Sequence, residues 1–338
     1  MTSAALDAAT LAMGAGTLPT AVVRLDSVTK HYPGGGGIDE VSLEVAPGEL
    51  FGFLGPNGAG KTTTIRLLVD LIRPDHGRVE LFGLDARHDG VRARRRIGYL
   101  PGDLALYERL TARELLSHFA YLRRRAGHTE RSADEGGPVG HDPIGGSGPG
   151  SIEALSSRFD LDLDRPIRSL SKGNRQKVGL VQALMGEPDL LILDEPTPGL
   201  DPLVQHEVHE VLREAVSGGR TVFLSSHALS EVEQVADRVG MIRSGRLVAV
   251  ERVDELRSRS VHLVELRTAD PLEPEAFAQL EGVVASELGP RGGRLEVSGP
   301  LDPVVGELAR HHLLDLSIRE PDLEEVFLSF YERDDHLP

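Results

Sequence analysis

Cysteine is absent from all 338 residues, so neither a disulfide nor a thiolate metal site can hold this fold. Lysine is nearly absent. Lys30, Lys61, Lys172 and Lys177 are the only lysines among 37 basic residues, and each stands in an arginine background. Long apolar runs are missing too. The longest uncharged stretch, residues 8–23, is interrupted by Thr, Gly and Pro and falls short of the ~20 apolar residues that span a bilayer. It lacks a basic flank and a clean apolar core, which argues against a signal peptide, and residues 1–19 read as a disordered lead-in. A cytosolic protein is expected, with any membrane association made through a partner.

The formal charge is −16, unevenly spread. Residues 251–338 hold 20 acids against nine arginines, a net −11. Such a surface repels phosphate backbones, so no nucleic-acid partner is expected. The chain is long enough to bury a large core in two domains. Residues 127–150 carry eight glycines and three prolines in 24 positions, with few large apolar side chains. Such a segment buries too little surface to offset its ordering entropy and reads as a flexible insertion in the first domain. Near 250–258 an Arg/Glu/Ser-rich helix leads into a new pattern. Strands are predicted at 261–267, 283–287, 293–297 and 314–318, and helices at 274–280 and 303–311. That is a β-α-β-β-α-β, ferredoxin-like order. A last helix is expected over 322–332, with Leu323, Val326, Phe327, Phe330 and Tyr331 on one face.

Against this background one lysine has a defined setting. Gly55-Pro56-Asn57-Gly58-Ala59-Gly60-Lys61-Thr62 fits the phosphate-loop pattern G-x-x-x-x-G-K-[ST]. A short apolar strand, Phe51-Gly52-Phe53-Leu54, precedes it, and residues 62–72 follow with helical spacing, Ile65, Leu68 and Ile72 on one face. The pattern requires that context. Its glycines let backbone N–H groups converge on phosphates, and the helix N-terminus adds positive potential. Lys61 is expected to reach the β- and γ-phosphates and Thr62 to ligate Mg²⁺, with Thr63 completing the ATP-binding set. Further on, Leu190-Leu191-Ile192-Leu193-Asp194-Glu195 reads as a strand buried on both faces that ends in two carboxylates. Asp194 suits a contact to Mg²⁺ through water, and Glu195 is placed to polarise an attacking water. Taken alone, the pair could be two ordinary acids at a strand end.

Leu170-Ser171-Lys172-Gly173-Asn174-Arg175-Gln176 lies between these two motifs. The three in this order resemble the ATP-binding subunit of an ABC transporter, over roughly residues 21–250. The resemblance implies that Leu170, Ser171, Lys172, Gly173, Asn174 and Gln176 form the family's signature segment. They would open a helix running to about residue 185. In the family this segment closes on ATP held by a second subunit, head to tail. The usual pattern is L-S-G-G-Q; here Lys172 and Asn174 replace a Gly and the Gln, and Lys172 would add attraction for the γ-phosphate. The alternative is a capped helix whose Ser171 only satisfies its own backbone.

Other family positions follow by resemblance. Asp201, in Gly199-Leu200-Asp201, would reach across the dimer interface. His227, after the apolar strand at 221–226, would contact the γ-phosphate and hold the water and its base in place. Tyr32, after a strand predicted at 22–30, would stack on adenine, the alternative being a half-buried Tyr packing locally. One position departs from the family: Tyr99-Leu100-Pro101 leads to Gly102 and Asp103 where a metal-sensing Gln normally stands. Asp103 could serve from one residue later, or water could fill in. The segment 102–116 still lies where a membrane partner docks.

The expected fold is an α/β phosphate-loop ABC ATPase domain over 20–250, with a parallel-sheet core, an antiparallel β portion and a helical subdomain at roughly 104–180. A small α+β ferredoxin-like domain follows over 258–338, with an accessory or dimerisation role. The expected function is ATP hydrolysis, with ATP and Mg²⁺, that drives export by a separate permease at the inner face of the cell membrane. The segment at 322–328 resembles the end of the daunorubicin-resistance type of exporter ATPase, which points to a drug, antibiotic or lipid-like cargo. The rivals are a soluble ABC ATPase with a regulatory, ribosome-linked or DNA-linked role, a non-ABC kinase or GTPase, and a catalytically weak regulatory subunit. Having no cysteine, the chain cannot carry the zinc modules of the excision-repair relatives.

Overall fold

The computed structural model describes residues 21–128, 148–258 and 262–319. The chain divides into two compact units, residues 1–227 with 240–250 and residues 228–239 with 251–338.

The first unit opens with β1 (Val23–His31) and β2 (Gly37–Val45). With β4 (His76–Leu81) and β5 (Leu84–Asp85) they form an antiparallel sheet in the order β2-β1-β4-β5. Alternate residues of β2 are buried, as expected of a sheet covered on one face. A second sheet is built on β3 (Leu50–Leu54), β6 (Ile97–Leu100), β7 (Leu190–Asp194) and β8 (Thr221–Ser226), joined in parallel. With β9 (Arg238–Arg243) and β10 (Arg246–Arg252) its order is β10-β9-β3-β8-β7-β6. Every residue of β3, β7 and β8 is buried, because helices cover both faces of such a sheet. Phe51 and Phe53 pack on Phe223 with ring centroids 5.7 and 5.4 Å apart.

The helices of this unit are α1 (Lys61–Leu68), α2 (Gly90–Arg94), α3 (Ala112–His128), α4 (Ile152–Arg158), α5 (Lys172–Leu184) and α6 (Pro202–Ser217). The helix predicted over 62–72 stops at Leu68. Asp70 takes φ 56°, which ends the turn, and Ile72 packs on the core from outside the helix. A cap begins each of the three later helices. Ser151, Ser171 and Asp201 accept from the backbone N–H groups of Ala154, Asn174 and Val204. The glycine-rich insertion is trimmed at both ends. Gly127 and His128 belong to α3, and Gly150 is held by a 3.0 Å hydrogen bond from the Gly186 N–H to its carbonyl. Residues 129–147 lie outside the described residues.

The second unit includes α7 (Leu229–Glu233) and α8 (Val253–Ser258). There follow β11 (His262–Thr268), α9 (Pro274–Ala278), β12 (Val283–Gly289), β13 (Gly292–Val297), α10 (Asp302–Leu308) and β14 (Leu313–Arg319). The observed order is β-α-β-β-α-β. The sheet runs β12-β13-β11-β14 and is antiparallel throughout, the split β-α-β arrangement of a ferredoxin-like domain. Val264, Leu266, Phe277, Leu295, Val297, Val304 and Leu308 form its core. The helix predicted over 322–332 lies outside the described residues.

Candidate active site

The turn between β3 and α1 needs glycine for a steric reason. Gly60 takes φ 115°, and a Cβ there would meet Ile38 Cγ2 at 2.7 Å and the Gly37 carbonyl at 3.0 Å. Lys61 begins α1 with its side chain almost buried. Its Nζ donates to the Gly55 carbonyl at 2.5 Å and lies 3.3 Å from Glu195 Oε1. The ammonium is thus set between the loop that precedes it and the end of β7. One residue on, Thr62 Oγ1 donates to Asp194 Oδ2 at 3.0 Å.

Sheet register brings the acids here. Asp194 pairs with Ser225 across the parallel β7·β8 ladder. Ser225 Oγ donates to Asp194 Oδ1 at 2.6 Å and accepts from the Glu195 N–H at 3.2 Å. The Glu195 N–H also donates to the Ser225 carbonyl at 3.2 Å. Glu195 adopts φ 52°, a left-handed conformation that costs a non-glycine residue ~1–3 kcal/mol and persists where the surroundings hold it. The reward is direction: Glu195 Oε1 faces Lys61, and Oε2 lies 2.6 Å from His227 Nδ1.

These groups line one cavity of about 460 Å³, with Pro56, Asn57, Gly58, Gly60, Lys61, Thr62 and Thr63 on one side and Asp194, Glu195 and His227 on the other. Gly37, Arg66, Gly102, Asp103 and Pro198 complete the lining. Gly55 and Ala59 do not line the cavity: Gly55 offers its carbonyl to Lys61, and Ala59 is buried in the core. Tyr32 stands exposed in the turn after β1, outside the lining, while Gly37, the first residue of β2, is inside it. A Cβ at Gly102 would come 3.0 Å from Asp194 Oδ2, so the residue in the usual glutamine position leaves that carboxylate open to the cavity. Behind it, burial raises the Tyr99 phenol above its ordinary range, and the Asp194 charge adds to the effect.

The signature residues belong to a different cavity. Ser171, Gly173 and Asn174 share about 510 Å³ with Gly199, Leu200 and Asp201, and this space has no lining residue in common with the first. Ser171 and Lys172 are exposed, whereas Leu170 is buried. Ser171 Oγ caps its own helix, accepting from the Asn174 N–H at 3.2 Å. Asp201 likewise caps α6, accepting from Val204 at 3.1 Å. Gln176 turns inward, its Nε2 donating to the Glu195 and Pro196 carbonyls at 3.1 Å each. That bond ties α5 to the turn carrying Glu195.

A family model described as ABC transporter matches residues 38–198. A daunorubicin resistance ATP-binding protein of Streptomyces coeruleorubidus is 36% identical over 319 residues, 90% of this chain and 94% of that protein. The chain belongs to the ABC transporter ATP-binding family. This ABC ATPase is also similar to the daunorubicin/doxorubicin resistance ATP-binding protein of Streptomyces peucetius, 33% identical over 93% of each chain. The bacitracin transport ATP-binding protein of Bacillus licheniformis is 34% identical over 74% of this chain and 76% of that one. Among solved structures, an ATP-binding subunit of an ABC transporter aligns with a TM-score of 0.58 at 30% identity, covering 71% of this chain and 92% of that one. A dimeric cassette bound to ADP and Pi shares the fold, with a TM-score of 0.56 at 22% identity over 68% of this chain and 98% of that one.

Ser225 was not legible as a site residue, because its role comes from the register between two strands. The inward turn of Gln176 carried no sequence signal either.

Proposed function

We infer that this ABC ATPase hydrolyses ATP at the cavity between the phosphate loop and β7, and that the energy drives export by a separate membrane permease. The convergence of Lys61, Thr62, Asp194, Glu195 and His227 on one space carries the reading. Lys61 and the N–H groups at the start of α1 bind the β- and γ-phosphates. Thr62 and Asp194 offer hard oxygen donors in hydrogen-bond contact, a fit for Mg²⁺, which would neutralise charge on the phosphate oxygens when bound. Glu195 orients the attacking water and accepts its proton. His227, 2.6 Å away, and the double bond of the Glu195 N–H to Ser225 hold that carboxylate in place. Tyr32 offers an exposed aromatic face to adenine.

Ser171 and Lys61 face separate cavities, so the signature segment serves the ATP of a second chain in a head-to-tail pair, with Asp201 at the interface. The permease docks on the segment 102–116 and the groove beside it. That groove, about 510 Å³, is lined by Val91, Ile97, Tyr99, Phe119, Leu122 and Arg123 among others. Among the described residues no helix is long and apolar enough to cross a membrane, and attachment to the inner face comes through that permease. The names of the relatives support a drug or antibiotic as cargo. A soluble ABC ATPase acting on ribosomes or DNA fits less well: the chain carries one phosphate loop, and its last third is strongly acidic.

The test mixes two defective chains. Lys61→Ala removes one face of the composite site and Ser171→Arg the other. A mixed dimer keeps one intact composite site and so forms with ATP, which neither variant does alone. If both faces served the same chain's ATP, mixing would restore nothing.

A further inference from the structure

The second unit leaves an edge strand with an apolar face. β14 lies at the end of the β12-β13-β11-β14 sheet and pairs with β11 alone among the described strands. Its register sets Leu316 beside Leu266 and Ile318 beside Val264. Leu266 and Val264 are buried in the domain core, yet Leu316 and Ile318 are each 39% exposed. The core face of the sheet therefore runs on past its covering helices and ends in two half-uncovered aliphatic side chains. The other face of β14 carries Asp315, Ser317 and Arg319 in alternation. An edge of this kind is a template for another strand.

We propose that β14 pairs antiparallel with β14 of a second copy of this chain, centred on Ser317, to join two four-stranded sheets into one. Charge selects the register. Centring on Asp315 or on Arg319 sets like charges opposite each other, and centring on Leu316 sets Asp315 opposite Ser317. Centring on Ser317 sets Asp315 opposite Arg319 of the other copy twice over. The same register sets Leu316 against Ile318 twice on the core face, so four aliphatic side chains close over one another. Around Ser317 the pairs 315/319 and 316/318 are complementary on both faces in one register, as a two-fold interface demands. No residue of β14 lines either cavity of the first unit, and the pairing does not depend on ATP.

The absence of cysteine makes the test clean, since a single introduced thiol has no competitor. Antiparallel partners sit ~4.5–5.5 Å apart at Cα, inside the ~4.4–6.8 Å that a disulfide spans. The full-length Ser317→Cys chain is oxidised mildly without nucleotide, beside Val284→Cys on β12 at the opposite edge of the sheet, where Val284 is 60% exposed. The expected result is a disulfide-linked dimer of Ser317→Cys, formed on the order of tenfold faster than that of Val284→Cys and unchanged by Lys61→Ala. Adding Asp315→Arg to Ser317→Cys sets arginine against Arg319 and slows cross-linking; adding Arg319→Asp as well restores it. A Ser317→Cys chain that stays monomeric overturns the proposal, whether β14 is covered by the chain that follows it or by nothing. Cross-linking no faster than at Val284→Cys overturns it as well. Failure of the double charge exchange to recover the dimer overturns the register.

Discussion

Asp194 and Ser225 are joined twice, as neighbours in the β7·β8 ladder and through a 2.6 Å hydrogen bond from Ser225 Oγ to Asp194 Oδ1. Both side chains are almost wholly buried. Ser225→Ala removes the shorter of the two hydrogen bonds on Asp194 and one acceptor of the Glu195 N–H. Leaving a buried carboxylate short of a donor costs ~1–3 kcal/mol. The expected outcome is a fall of that size in unfolding free energy by urea titration, together with reduced ATP turnover. Unchanged stability would mean that water or Thr62 replaces the hydroxyl fully.

The groove beside the segment 102–116 predicts a separation of functions. Leu122 is partly exposed within it, so a charged side chain there is tolerated by the fold. Leu122→Glu should leave ATP binding by the isolated chain unchanged and reduce co-purification of the permease from detergent. Retention of a full complement of permease would remove this groove from the docking surface.

Arg158 clamps α4 to α6. Its Nε donates to Glu207 at 2.5 Å, and its Nη1 and Nη2 donate to Glu214 at 2.6 and 3.0 Å. The Arg158 hydrogen bond, opposed by partial burial, holds the Glu214 carboxyl below its ordinary range. A carboxyl depressed in the folded state adds stability above its unfolded value of ~4.3, and that stability is lost as pH falls through the folded value. Glu214 is more than half exposed, so solvent screening limits the effect to ~1 kcal/mol or less. Arg158→Met should therefore destabilise the protein at neutral pH, with a difference from wild type that shrinks below about pH 4. A difference equal at pH 7 and pH 3.5 would assign the loss to packing.

What the sequence made legible follows from where chemistry fixes spacing. The phosphate loop and the acidic strand stand out because a turn that cradles phosphate needs glycines at set positions, and a strand buried on both faces needs an unbroken apolar run. Both features survive without any partner strand being known. The contribution of Ser225 does not, since only the pairing Asp194↔Ser225 makes it a neighbour. The end of α1 was overrun because Asp70, not glycine, takes the left-handed turn there. The left-handed Glu195 was hidden for the same reason. The glycine-rich stretch was visible by composition, but a main-chain bond to Gly150 that closes its far end has no composition. In the second unit, alternation and turn spacing sufficed for the order of elements, whereas the exposed edge at β14 required the sheet.

The central claim is that Glu195 activates the water that attacks ATP bound by Lys61 and Thr62. Glu195→Gln keeps the shape, with the amide oxygen toward Lys61 and the amide NH₂ toward His227 Nδ1, but loses the base. The direct measurement is ATP binding and single-turnover hydrolysis by this variant beside wild type. The account predicts near-normal binding, a hydrolysis rate lower by ~10²–10⁴, and an ATP-bound dimer that persists on gel filtration. Hydrolysis at the wild-type rate by the purified variant would contradict it.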